Sequence, residues 1–149
     1  MTDAARITVE QFERLLRETI PLSQHLRFRV DALGAGWARV TLPGDDEWIR
    51  AGGTVSGPAI MALADTAFYG AVLTRIGLEP MAVTSDLSVR FLRRPPPDDL
   101  RSEARLLRLG KRQAVAEVRM WSGSDESRLV AHATGTYALP PPKEPRRPA

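Results

Sequence analysis

The sequence predicts an α+β fold in which a mostly antiparallel sheet of about six strands wraps around one long central helix. Three observations lead to this prediction. A long, almost wholly apolar helical pattern covers about residues 57–75, and the segments on both sides of it alternate as strands do. A short helical pattern precedes them at about residues 9–19. A twisted sheet can bury its apolar face by wrapping around such a helix.

The N-terminal helix has a start signal and a stop signal. Thr8 is a suitable N-cap, and Gln11, three residues later, completes a capping box. Pro21 ends the helix, because the residue before a proline is disfavoured in the α region. Apolar residues recur between these signals at helical spacing: Phe12, Leu15, Leu16 and Ile20.

The strands form two groups. A hairpin turns at Gly34-Ala35-Gly36, and a loop leads from it to the central helix. Four further strands follow the helix, the first with Leu87, Val89 and Phe91 on one face. Their turns lie at residues 110–111 and 122–127. The expected element order is α, β, β, long α, then four β.

Length and composition indicate one soluble domain. At 149 residues the chain can bury a core without disulfides, and it has no cysteine. We expect the domain to span residues 1–139 and the proline-rich, basic tail 140–149 to be disordered. No secretory signal or membrane span is recognised, so we expect a cytoplasmic protein without membrane contacts.

Charge and histidine content narrow the choice of ligands. The net charge of +3 comes without a basic stripe or nucleic-acid reading motif, so we expect no nucleic-acid partner and favour a small anionic ligand. His25 and His132 are the only histidines and show no metal-ligand spacing. We therefore expect no metal, and we interpret His132, on a strand, as structural.

A lone acid within residues 52–74 is the strongest candidate for chemistry. Asp65 is the only charged residue in this segment, and it either faces water, is satisfied by a neighbour or takes part in the chemistry. Gly57 lies at the start of the same helix, where a free amide can stabilise an oxyanion; alternatively it only makes a turn. Eight residues of helix separate the two by about 12 Å. If they cooperate on one carbonyl, the active unit is therefore a dimer.

Three segments carry a resemblance to a known family: "GTVSGPAIMALADTAFYGAV", "AVTSDLSVRFLRRP" and "LGKRQAVAEVRMW". Together with the element order, they make about residues 22–139 resemble the hotdog-fold acyl-CoA thioesterases. The closest branch is that of the phenylacetic-acid (PaaI-like) thioesterases in the 4-hydroxybenzoyl-CoA thioesterase superfamily.

The resemblance implies roles for three residues. Asp65 would act as general base or nucleophile, and the amide of Gly57 in the partner subunit would hold the oxyanion. Thr84 matches a family position whose hydroxyl orients water or the carboxylate; alternatively, its hydroxyl only makes a structural hydrogen bond on its strand. The resemblance further implies a homodimer, assembled as a dimer of dimers (a homotetramer), with CoA as part of the substrate and no separate cofactor.

Three residues depart from the family pattern. Ser56 replaces the family's histidine, Pro58 its second glycine and Arg50 its asparagine. Ser56 can donate to a thioester oxygen or simply cap the helix. Arg50 can pair with a substrate carboxylate or the CoA phosphates, or point away.

Four other basic residues, in two pairs, are candidates for binding the CoA phosphates. Arg93 and Arg94 follow one strand, and Lys111 and Arg112 lie at a later turn. Guanidinium groups suit phosphate, but charges at strand ends are also common on plain solvated surface.

The first functional hypothesis is an acyl-CoA thioesterase. The second hypothesis is a non-catalytic acyl-CoA binding or sensing module of the same fold. It is suggested by the replacement of the family's histidine and asparagine by Ser56 and Arg50. A hydratase would need a histidine near the helix start, and no histidine lies between residues 26 and 131. Four apolar side chains are candidates either for an acyl pocket or for the core: Trp48, Met61, Phe68 and Tyr69.

Overall fold

A computed structural model describes residues 4–141 of the chain. The predicted tail therefore lies outside the described residues from position 142 onward. The elements, in chain order, are α1 Val9–Thr19, α2 Pro21–Leu26, β1 Arg29–Gly34, β2 Trp37–Leu42, β3 Ile49–Arg50, β4 Thr54–Val55, α3 Gly57–Ile76, β5 Val83–Phe91, β6 Leu100–Leu109, β7 Gln113–Ser122 and β8 Leu129–Ala138.

Six of the strands form one antiparallel sheet in the order β1-β2-β6-β7-β8-β5. Its inner face packs against α3, and the buried side chains of sheet and helix form one continuous core. The predicted α+β fold, with a sheet of six strands around one central helix, is confirmed. The strand β5 lies at one edge of the sheet and β1 at the other.

The N-terminal helix α1 has the predicted bounds and capping box. The Gln11 amide donates to Thr8 Oγ1, and the Thr8 amide donates to Gln11 Oε1. A second helix, α2, was not predicted. Pro21 is in the first turn of this helix, where the backbone N–H makes no intrahelical hydrogen bond and a proline is therefore tolerated. Arg27 follows its last residue, in the left-handed region with φ of 55°.

The helix α3 forms the centre of the core. Its second half is buried, and a Cβ on Gly70 would lie 2.7 Å from the Phe12 ring, so close contact with α1 requires glycine there. By length and composition alone α3 could cross a membrane. Its burial inside the sheet is instead that of a core helix, which is consistent with a soluble protein.

The segment predicted as a loop before α3 contains a small hairpin. A 3₁₀ turn at Asp46–Trp48 leads into β3, which pairs with β4. The Ser56 amide then donates to the carbonyl oxygen of Trp48 at 2.9 Å. Trp48 itself is buried, so the hairpin anchors the start of α3 to the core.

Candidate active site

The exposed part of α3 is a stripe near its start. Pro58 and Met61 are exposed and Asp65 is half-buried, at the three- and four-residue spacing of one helix face. From Thr66 to Thr74 every residue of the helix is buried. Asp65 therefore lies at the boundary between the open and the covered half of α3.

Two hydroxyl groups hold the Asp65 carboxylate through the same oxygen. Thr84 Oγ1 donates to Oδ1 at 2.6 Å, and the Tyr137 hydroxyl donates to Oδ1 at 2.8 Å. The Tyr137 oxygen also lies 3.1 Å from the Asp65 carbonyl oxygen. Within residues 4–141 no donor lies on Oδ2. One oxygen of the carboxylate is thus fixed, and the other is open for chemistry.

A β-bulge places Thr84 opposite Asp65. In the pairing of β5 with β8, Thr84 is opposite Tyr137 and Asp86 is opposite Thr136, so Ser85 is the extra residue. Alternate residues of a regular strand face the same side, so Ser85 rather than Thr84 would face the helix together with Leu87. The bulge shifts the alternation by one residue, so Thr84 faces the helix instead.

Tyr137 was not predicted as a site residue from the sequence. It ends a row of inward-facing residues on β8, after Ala131, Ala133 and Gly135. Burial, with the Asp65 charge as the next cause, raises the pKa of Tyr137 far above its usual range. Its hydroxyl therefore stays protonated and donates to the carboxylate. The alternation of β8 could have identified it, because Tyr137 is the one residue with a polar group in a row of small residues that face the helix.

A small apolar cavity opens beside Asp65, on the covered side of α3. Its volume is about 80 Å³. One wall is formed by residues of α3 around Asp65. The opposite wall is formed by α2, which was not predicted, and by the residues next to it in the sequence. The lining comprises Ile20, Leu22, Ser23, Phe28, Ala62, Asp65, Thr66, Tyr69 and Tyr137.

Only one of the four apolar candidates lines this cavity. Tyr69 does so; burial, followed by the charge of Glu79, raises its pKa to about 12. Phe68 and Trp48 belong to the core, and Met61 is exposed on the helix stripe.

A basic cleft of about 400 Å³ lies at the start of α3. Gly57 lines it, together with Arg50 from the hairpin and with Arg93 and Arg94 beyond β5. As a first-turn residue, Gly57 has an amide without an intrahelical partner. A Cβ at Gly57 would meet only the Phe91 ring, at an ordinary 3.7 Å. Neither backbone strain nor packing within this chain therefore requires glycine at this position.

Arg93 and Arg94 also line a second cleft, of about 590 Å³, together with Ser122 and Arg128. Within the described chain, the Ser122 hydroxyl oxygen is buried without a hydrogen-bond partner. Arg93 Nη1 donates to the Leu129 carbonyl oxygen at 2.6 Å, which fixes the guanidinium between the two clefts. Neither lining contains an acidic residue, so both clefts favour an anionic ligand.

Lys111 and Arg112 lie elsewhere. They are at the end of the sheet where Gln113 pairs with Ala138, whereas β5 runs from that end to Phe91, beside Arg93. Lys111 lines a separate cleft beyond the end of α3. One chain therefore does not bring the two basic pairs together.

Ser56 occupies the N-cap position of α3 without capping it. Its side chain makes no cap hydrogen bond to the helix. No group of three or more metal-ligating side chains is found in residues 4–141. Each histidine pairs with a glutamate, His25 with Glu47 at 3.0 Å and His132 with Glu117 at 3.1 Å.

Asp65 and Gly57 are not joined within one chain, since the helix separates them by about 12 Å. A family model for the thioesterase superfamily matches residues 52–128, just over half of the chain, and includes both residues. The chain belongs to the thioesterase superfamily.

Solved structures agree with this membership. A candidate thioesterase from Silicibacter sp. TM1040 is 37% identical, with a TM-score of 0.83 over 95% of this chain and 97% of that one. A variant of the phenylacetic acid degradation protein PaaI from Thermus thermophilus is 28% identical, with a TM-score of 0.69 over 79% of this chain and 97% of that one. A candidate esterase of Saccharolobus solfataricus is 25% identical over 89% of this chain and 86% of its own length.

These findings confirm the hotdog fold and the PaaI-like resemblance. The protein is a thioester hydrolase of this superfamily, which favours the hydrolase over the non-catalytic binding module.

Proposed function

We propose that the protein is an acyl-CoA thioesterase of the cytoplasm that acts as a homodimer. One observation carries the proposal: two hydroxyl groups fix the Asp65 carboxylate through Oδ1, Oδ2 has no donor within residues 4–141, and Asp65 lines a mostly apolar cavity. A thioester hydrolase needs such a group to activate water or to attack the acyl carbon.

As a general base, Asp65 Oδ2 takes a proton from water while the water oxygen adds to the thioester carbon. The carbonyl oxygen becomes an oxyanion, which accepts a hydrogen bond from the amide of the partner subunit's Gly57. The C–S bond then breaks, CoA leaves as a thiolate, and the proton on Asp65 passes to it. As a nucleophile, Oδ2 instead attacks the carbon and expels the thiolate, and water hydrolyses the resulting anhydride. The geometry serves both routes.

The edge strand β5 supports a dimer. It is nine residues long, and within residues 4–141 it pairs with β8 alone, along one side. A long, exposed edge is a template for pairing with a second chain. Large exposed apolar residues surround this edge and the open stripe of α3: Met61, Met81, Val83, Phe91 and Leu92. Antiparallel pairing of two copies would bring Asp65 of one beside Gly57 of the other.

The basic clefts support CoA as the leaving group. Arg50, Arg93, Arg94 and Arg128 would meet the CoA phosphates. Lys111 and Arg112 would have to reach CoA from another subunit. A dimer of dimers stays a prediction.

Subunit complementation tests the shared site. Asp65→Asn removes the base, and Gly57→Pro removes the amide at a first-turn position that accepts proline. Each variant alone should lose most thiol release from acyl-CoA. When the two are co-expressed, half of the dimers are mixed and each has one intact site, so roughly a quarter of the parent activity should return.

A matched mixture of Asp65→Asn with Asp65→Ala is the control, and it should stay inactive. If the Asp65→Asn and Gly57→Pro mixture also stays inactive although mixed dimers form, the shared site is wrong. If Asp65→Asn alone hydrolyses at the parent rate, Asp65 is not the reacting group.

A further inference from the structure

The cavity beside Asp65 and the clefts near Gly57 have opposite character. Six of the nine side chains that line the cavity are apolar or aromatic, and none of the nine is basic; the six are Ile20, Leu22, Phe28, Ala62, Tyr69 and Tyr137. The two clefts are lined by four arginines. An acyl-CoA has the same division, because an apolar acyl group and a polyanionic nucleotide lie on the two sides of the thioester. The acyl group therefore matches the cavity.

We propose that α2 forms the end wall of the acyl-binding site, and that Leu22 on this helix limits the substrate to short aliphatic acyl groups. This inference rests on the proposed function and adds the substrate class and the residue that selects it. Asp65 and Leu22 line the same cavity, so the acyl chain would run from the carboxylate toward α2.

The size of the cavity sets the length limit. Its volume of about 80 Å³ is well below the roughly 150 Å³ of a protein cavity that binds benzene. A cavity smaller than one that binds benzene favours a short aliphatic group, so we expect the parent protein to prefer short-chain acyl groups over long-chain and aromatic ones.

Leu22 is the wall residue that can change without loss of the core. Its exposed fraction is 56%, whereas Tyr69 on the facing helix is 5% exposed and its hydroxyl lies 3.3 Å from the Glu79 carbonyl oxygen. Replacing Leu22 by alanine removes the end of the cavity and leaves the helix stripe in place. Each additional methylene that the opened site buries should favour the longer substrate by about fourfold in kcat/KM.

The test is a chain-length profile. Thiol release is measured over straight-chain acyl-CoAs from acetyl to dodecanoyl for the parent and for Leu22→Ala and Leu22→Phe. Leu107→Ala is the matched control, because Leu107 is 59% exposed and lies on β6, outside the cavity and both clefts.

We expect the parent optimum among the short chains, and a gain of about tenfold or more in the ratio of long-chain to short-chain kcat/KM for Leu22→Ala. Leu22→Phe should shift the ratio the other way, and Leu107→Ala should leave it unchanged. A parent optimum at long chains, or a Leu22→Ala profile parallel to that of the parent, overturns the inference.

A binding measurement separates this inference from the proposed function. Thermal stabilisation of Asp65→Asn by the same acyl-CoAs reports the length preference without turnover. If the parent hydrolyses none of them but binding depends on length and Leu22→Ala shifts it, the proposed function fails and the acyl site stands. If hydrolysis occurs without any dependence on residue 22, the function stands and the inference fails. Absence of both turnover and binding overturns both.

Discussion

Glu103 and Asp65 are two acids of the same domain with opposite surroundings. Glu103 lies on the outer face of the sheet and is 5% exposed; Oε2 accepts from Arg39 Nε at 2.7 Å, and Oε1 from Arg105 Nε at 2.6 Å. Asp65 lies on the inner side, half-buried, with two neutral donors on one oxygen and no donor from the described chain on the other.

The partners of each carboxylate account for its different availability. Burial alone would raise the pKa of Glu103, but its hydrogen bonds with Arg39 and Arg105 outweigh burial and hold that pKa below its usual range. Both of its oxygens accept hydrogen bonds from arginines, so we assign Glu103 a structural role in the sheet. Within residues 4–141 no cationic side chain forms an ion pair with Asp65, and the two hydroxyl groups orient it while leaving Oδ2 without a donor.

The largest expected effect separates the two acids by function. Asp65→Asn should lower kcat by about 10²- to 10⁴-fold, the contribution of a general base, with little change in thermal midpoint. Glu103→Gln should instead keep kcat per folded molecule and lower the free energy of unfolding by about 1–3 kcal/mol, because charged hydrogen bonds are lost. Thiol-release kinetics and thermal unfolding of both variants check this. A large loss of kcat in Glu103→Gln would break the comparison.

An intermediate effect is expected from the donors on Asp65. Tyr137→Phe removes one hydroxyl from Oδ1 and should lower kcat by about tenfold with KM nearly unchanged, because Thr84 still holds the carboxylate. Tyr69→Phe is the matched control, since its hydroxyl contacts the Glu79 backbone and not Asp65. Equal losses of kcat in both variants would show that packing, rather than orientation of the carboxylate, is responsible.

The smallest expected effect is the pH dependence of the Glu103 contribution. The pKa of Glu103 is lowered in the folded state, so its stabilisation is complete above about 4.5, the value for an unperturbed glutamate, and is lost as pH falls below it. The difference in thermal midpoint between the parent and Glu103→Gln should therefore be constant near neutral pH and shrink in acid. Unfolding curves of both proteins across this range check the sign. A difference that grew in acid would contradict the assignment.

The sequence predicted the fold well because its signals are local. The capping box of Thr8 and Gln11, the strand alternation and the apolar run of α3 need no knowledge of distant residues. Asp65 was identifiable for the same reason, as a lone charge in that run. The six-residue α2 was not, because a segment so short has less than two turns in which a period can repeat.

The surroundings of Asp65 required the third dimension. Tyr137 reaches it only because β8 packs against α3, and Thr84 only because Ser85 forms a bulge that alternation does not reveal. Lys111 was grouped with Arg93 by charge, although the strand connections put them at opposite ends of the sheet. Pairwise proximity of this kind depends on strand order and register, which a single sequence does not specify.

The position of α3 inside the core has a consequence for how the site can adapt. Asp65 is carried by the helix that the sheet encloses, and the backbone of such an element should open only with global unfolding and exchange its amide hydrogens slowest. The proposed reacting group is therefore expected to be among the least mobile parts of the chain. Changes of substrate range can accumulate in α2 and in the β3–β4 hairpin, which border the site from outside, while the helix and its carboxylate stay constant.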